Sequence, residues 1–370
     1  MTPSARLRSA LRAVPSACVL PSVIALAVAA HAHAQSFTNV GVLPAGFASQ
    51  CVSLSEKGLV SAGICSTPTG DRAFRKMQNG VLHDLGLLGD ATYMYATAIS
   101  ANGNAIAGYA DGPSGEQAFR WTTTGGLRDL GRLPGAFYGA SAYGISRDGK
   151  AVCGTSDSAH GFRAYRWTEA QGMRDLGVLP GGDYSFAFAL SAFGFTAVGL
   201  SDSATGEHAM RWTPSDGMRA LPSIQLGDPT AAFAVDAHGD FVTGYSGAHA
   251  VRWNHAGVAK DLGLLPGGTF SAGYGISGDG QIVSGVADDA QGELRAVLWT
   301  PALGLVPLDI VLTLLGADLT GWELVSANAV SADGATVAGL GMVGGEQRGF
   351  VAKLPAPGSS AWTWLTGQLD

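Results

Sequence analysis

Along most of the chain, apolar positions alternate with small or polar ones over short runs, and glycine-containing turns separate the runs. Tyr95–Ser100, Ala105–Tyr109, Gln117–Thr122 and Leu127–Leu133 are four such runs in succession, with Asn102-Gly103 between the first two. Alternation with a period of two is the signature of a half-buried strand, and an Asn-Gly pair supplies the positive φ that a tight hairpin requires. The pattern therefore predicts four short strands in this segment. Strands at this spacing with glycine turns between them point to a sandwich, a barrel or a propeller.

The block then repeats. The segment Asp129–Arg174 is copied almost position for position by Asp175–Arg219. A turn glycine marks each copy, at Gly58, Gly103, Gly149, Gly194, Gly239, Gly280 and Gly334, with successive spacings of 45, 46, 45, 45, 41 and 54 residues. A second anchor is a strand such as Ala118-Phe119-Arg120-Trp121 or Ala164-Tyr165-Arg166-Trp167. A third is the DLGxLP element at Asp84, Asp129, Asp175 and Asp261. Seven units of four strands select an all-β fold, a seven-bladed β-propeller.

Two features support that choice. The first strand of each unit carries small residues at alternate positions (Ala142/Gly144, Ala187/Ala189, Gly273/Gly275) and bulk between them (Tyr143/Ile145, Phe188/Leu190, Tyr274/Ile276). Side chains alternate across a strand, so each small face is expected to receive the large face of the next blade. In addition, Ser36–Pro44 has the pattern of a fourth strand but precedes the first unit, while the seventh unit lacks a clear fourth strand. The N-terminal strand is thus expected to complete the last blade and close the ring, leaving no long unpaired edge.

The ends set the context. Arg6, Arg8 and Arg12, the apolar run Val19–Ala30 and the Ala32-His33-Ala34 triplet read as a secretory signal over residues 1–34. The propeller is assigned to residues 35–355 and a C-terminal tail to 356–370. The run is too short to span a bilayer, so no membrane span is expected in the mature chain, which is placed in the periplasm or the medium. Removal of the leader keeps 19 of 22 basic and all 29 acidic side chains, a net charge of −10. That balance argues against nucleic acid as a partner and leaves an unidentified protein or glycan ligand, with the chain read as a monomer. Cys51 and Cys65 flank the Lys57-Gly58 turn and are candidates for a disulfide between antiparallel strands. The alternative is that they and Cys153 are buried small apolar residues.

The triplets His208-Ala209-Met210 and His249-Ala250-Val251, with Gln117-Ala118-Phe119 and the DLGxLPGG elements at Asp175–Gly182 and Asp261–Gly268, resemble the HAF-repeat family of bacterial extracellular proteins. The resemblance covers nearly the whole mature chain. It implies an exported protein and brings no established activity or catalytic residue.

In a propeller, the loops joining strand two to three and strand four to the next strand one share one face, here the upper face. They carry Asp111, Asp157, Asp183, Asp202 and Asp288. Recurrent carboxylates around a ring suit a hard cation such as calcium, or a polyhydroxylated ligand; equally, Asp is what turns use. The apolar insertion Pro307–Trp322 is expected to fill a seam or to grip a ligand. No HExxH, GxSxG or CxxC is present, and no catalytic residue or metal ligand set stands out. The reading is an exported binding or scaffold module, with a carbohydrate-active hydrolase or lyase working at the upper channel mouth as the alternative.

Overall fold

The computed structural model describes residues 37–369, in which the alternating runs form 28 strands paired as seven four-stranded antiparallel sheets. In six sheets the strands pair in chain order, as do Ala140–Ile145, Ala151–Ser156, Arg163–Thr168 and Gly172–Asp175 in blade three. The first strands of all seven sheets touch their neighbours in a complete circle. The molecule is a seven-bladed β-propeller. Its seventh sheet takes Phe37–Asn39 as the outer strand beside Glu346–Lys353, with Phe37 opposite Ala352 and Asn39 opposite Phe350. The expected closure is therefore present. The leader assigned to residues 1–34 lies outside the described residues.

The turn between strands one and two is built by side chains. Ser146 Oγ accepts from the Ala151 amide (2.9 Å) and donates to Asp148 Oδ1 (2.7 Å), which in turn accepts from Lys150 (3.0 Å). The same clamp recurs at Ser100, Ser277 and Ser331. At the closing seam, Gly58 has φ +62°, and a Cβ there would lie 2.3 Å from Thr336 Oγ1 of blade seven, so backbone strain and contact both demand glycine.

Blades are then riveted to one another. The third-strand arginines Arg75, Arg120 and Arg166 donate through Nε to the turn carbonyls of Gly103, Gly149 and Gly194 in the following blade, at 2.6–2.7 Å. These arginines are inter-blade contacts. Beside them, Phe74, Phe119 and Phe350 are fully buried and contribute about 1.5–3 kcal/mol each by the removal of apolar surface from water.

The first strand departs from simple alternation. In every blade it carries an extra residue against the second strand at one shared position, and blade seven has a second at Val325; in blade three the register steps from Ala142–Gly154 to Gly144–Cys153 and leaves Tyr143 unpaired. At the shared position the bulged residues are Val52, Thr97, Tyr143, Phe188, Phe233, Tyr274 and Asn328. A bulge redirects its side chain, and these seven face the central channel. The expectation that Tyr143, Phe188 and Tyr274 would pack into the neighbouring blade is thus corrected: an extra residue breaks the period of two at that position. A glycine on strand two permits it. A Cβ on Gly199 would fall 1.9 Å from the Phe186 carbonyl oxygen, and the equivalent approach is 1.9–2.0 Å in all seven blades.

The insertion after blade six is a short helix, Leu308–Leu314, whose Leu308, Val311 and Leu312 are buried in the cluster joining blades six and seven. It fills the seam. The tail forms a second helix, Ser360–Leu369, that delivers buried Leu365 to the same cluster.

Cys51 and Cys65 are both free and buried, which corrects the disulfide expectation. Their positions in the repeat explain why. Cys51 pairs with Gly63 and stands where other blades have Ala142 or Ala187. Cys65 pairs with Ser49 and takes the place of Ser156 and Ser201, its Sγ accepting from the Leu43 amide (3.2 Å) as Ser156 Oγ accepts from Leu133. The two are diagonal rather than opposite, and burial pushes the Cys51 thiol up to about 12. Two outcomes follow. Cys51, Cys65 and Cys153 should ignore a thiol reagent in the native protein and all titrate in guanidinium without reductant; two missing thiols would restore the bridge. Gly199→Ala should lower stability by about 3 kcal/mol or more in chemical denaturation, because backbone must move to admit the methyl group.

Candidate functional site: the central channel

The channel inherits its shape from the bulges. Tyr143, Phe188, Phe233 and Tyr274, on blades three to six, form a continuous aromatic arc: centroids are 5.6, 5.7 and 5.6 Å apart, with successive rings inclined at 66°, 47° and 65°. Tilted rings in series make a concave wall. Blades seven, one and two present Asn328, Val52 and Thr97 instead. The arc bounds a cavity of about 280 Å³ that is half polar and half apolar. Its opposite wall is largely self-satisfied: Thr97 Oγ1 donates toward the Ala107 and Ala142 carbonyls (3.1 and 2.9 Å), and Asn328 Nδ2 donates to the Cys51 carbonyl (2.9 Å).

The lower mouth is framed by backbone. The amides of Glu56, Ala101, Arg147, Ala192, Ala237 and Gly278 each donate to the carbonyl of the equivalent residue one blade on, ending at Ala332, at 2.8–3.3 Å. This collar of hairpins crosses six of the seven seams. Only two of its side chains are charged, and Arg147 pairs with Glu56 at 2.7 Å across blade two. Just inside stands Asp236, which lines the cavity and is 3% exposed. The other six blades have serine at that position: Ser55, Ser100, Ser146, Ser191, Ser277 and Ser331. Asp236 Oδ1 accepts from the Gly239 and Asp240 amides, both at 2.7 Å. Burial nevertheless raises its pKa above the usual carboxylate range, outweighing those donors.

A second concavity opens beside this mouth. Phe193 and Phe195 protrude from the blade-four turn, 67% and 61% exposed, opposite Leu59 and Met77 across a groove of about 990 Å³. Glu56, Ala101, Arg147 and Ala192 belong to both walls, so groove and channel are continuous.

The upper-face carboxylates do not converge. Asp157 accepts from the amides of Phe137 (2.5 Å), Tyr138 and Gly139 (3.0 Å). Asp288 accepts from Thr269 (amide and hydroxyl, both 2.7 Å) and from the Phe270 amide (2.6 Å). Asp202 accepts from the Asp183 amide (3.2 Å). Asp183 offers its backbone carbonyl to Arg163, and Asp111 is exposed at a strand end. The carboxylates of Asp157, Asp202 and Asp288 each tie the loops of their own blade. Among the described residues no group of three or more His, Cys, Asp or Glu is placed to hold a metal ion. Sequence reading passed over the aromatic arc and Asp236. Aligning the seven repeats column by column exposes both, because four consecutive blades carry an aromatic residue where the others have Val52, Thr97 and Asn328, and one blade carries Asp where six have Ser.

No protein-family model and no curated protein matches the chain. Solved structures do. An oligogalacturonate lyase in complex with manganese aligns with a TM-score of 0.58 at 12% identity, covering 88% of this chain and 94% of that one. The oligogalacturonate lyase of Vibrio parahaemolyticus gives 0.58 at 9%, covering 86% and 93%. TolB from Acinetobacter baumannii gives 0.46 at 12%, covering 84% of this chain and 64% of TolB. At these identities the likeness to the two lyases is one of fold, and it agrees with the propeller described above. No helix among the described residues is long and apolar enough to cross a membrane.

The carboxylate Asp157 makes a testable contribution. Burial acts to raise its pKa, but the three amide donors prevail and hold it below the ordinary value. Its stabilisation is therefore present above the unfolded pKa of about 3.9 and lost as pH falls through the native one. Asp157→Asn should cost about 1–2 kcal/mol at pH 7, and the gap to the parent protein should close below pH ~3 in urea titrations.

Proposed function

We propose that this chain is an exported binding module that takes a small ligand in its central channel through the lower mouth. The observation that carries the reading is the one-sided aromatic arc. Ring closure is satisfied by Val52 and Thr97 on two blades, so propeller packing alone does not call for aromatic side chains at Tyr143, Phe188, Phe233 and Tyr274. A cavity with one aromatic wall and a few polar groups is the usual form of a ligand site. The repeat triplets support grouping the chain with the HAF-repeat proteins, and the apolar leader supports export.

The alternative, a carbohydrate-active lyase or hydrolase, would need acid and base groups facing one substrate. Among the upper-face carboxylates, those of Asp157, Asp202 and Asp288 are engaged by the backbone of their own loops. The test is a thermal-shift panel of amines, oligosaccharides and divalent cations, since a ligand that binds only the folded state raises the melting temperature. At least one ligand should give a shift that Phe188→Ala abolishes and the upper-face Phe137→Ala leaves intact, and it should be recovered unchanged by chromatography. Conversion of the ligand, or a shift that instead follows Asp202→Asn, would move the function to the upper face.

A further inference from the structure

We propose that the channel site recognises an organic cation, an ammonium group held between the aromatic arc and Asp236. The inference rests on the channel being the binding site and adds the class of ligand. Its basis is a departure in charge, within the cavity lining, from the ring's own repeat. Six blades carry an uncharged serine at the inner end of the first strand; blade five carries Asp236, three residues after the arc's Phe233 and inside the mouth. A carboxylate in so buried a position costs several kcal/mol unless an opposite charge accompanies it. The amides of Gly239, Asp240 and Phe241 compensate it in part, and among the described residues no cationic side chain makes an ion pair with it. Arg147, the basic residue of the same lining, is paired with Glu56, so the lining as a whole retains one negative charge.

The arc supplies the other half of the site. Four rings tilted successively by 47–66° curve around one side of the cavity, and aromatic faces attract ammonium groups through their quadrupole, more strongly when water is excluded. A neutral polyhydroxylated ligand finds fewer donors on the wall facing the arc, because Thr97 Oγ1 and Asn328 Nδ2 already donate to backbone carbonyls. Carboxylate, concave aromatic wall and occupied polar wall together select positive charge with apolar bulk around it.

The experiment is calorimetric titration of the purified chain with choline and with its uncharged carbon isostere, 3,3-dimethylbutan-1-ol. Choline should bind at one site per chain, and the alcohol at least tenfold more weakly. Asp236→Ser restores the residue of the other six blades and should fold normally; it should weaken choline by at least tenfold and bring the two ligands level. Phe233→Leu should weaken choline as well. Equal binding of choline and the alcohol, or full choline affinity in Asp236→Ser, would remove the cation proposal. A neutral ligand from the panel that binds while choline does not, and is lost with Phe188→Ala, would also remove it while leaving the channel as the binding site. Absence of any channel ligand would remove both.

Discussion

A carbonyl oxygen lying 1.9–2.0 Å from the site of an absent Cβ is the contact on which this propeller depends. It occurs once per blade, where the bulged first strand presses against the glycine of the second. Without glycine at that point the strands could not close over the bulge. Without the bulge the first strand would alternate regularly, and no side chain would be turned toward the axis. One steric condition therefore fixes the inner edge of each blade and decides what the channel is lined with.

Around that inner edge the ring is assembled from repeated polar contacts rather than from one continuous core. The apolar clusters lie within and between pairs of blades. Third-strand arginines reach turn carbonyls of the next blade, and hairpin amides chain one blade to another around the lower mouth. The seam between blades seven and one is secured differently, by the strand Phe37–Asn39 and by the Asn328 amide on Cys51. The seam between blades six and seven is filled by apolar side chains of the inserted helix and the tail.

A repeat of this kind provides its own reference, which is how its functional features become visible. Where seven blades agree, the residue answers to packing: the turn glycine, the strand-two glycine, the buried third-strand apolar residue. Where one blade departs, packing has not demanded the change. Cys51 and Cys65 are departures that still behave as their repeat positions require, one as a small residue and one as the acceptor that serine provides elsewhere. Asp236 is a departure that alters the chemistry of a shared cavity, and the bulge column divides between four aromatic residues and three that are not.

The sequence by itself determined the number of blades, their four strands, the turn sites and the closure, because a period near 45 residues and a period of two both survive in a linear string. It also carried the arc and Asp236 as irregular columns, although nothing in one dimension marked those columns as facing each other. The upper-face acids illustrate the opposite limit: Asp157, Asp202 and Asp288 recur as a ring would, yet each is drawn to the amides of its own blade's loops. Only the tertiary structure decided which recurrent residues converge. A bulge of one residue inverts the side-chain alternation expected from the pattern, and bending the sheet into a circle brings positions some 45 residues apart to within one ring contact of each other.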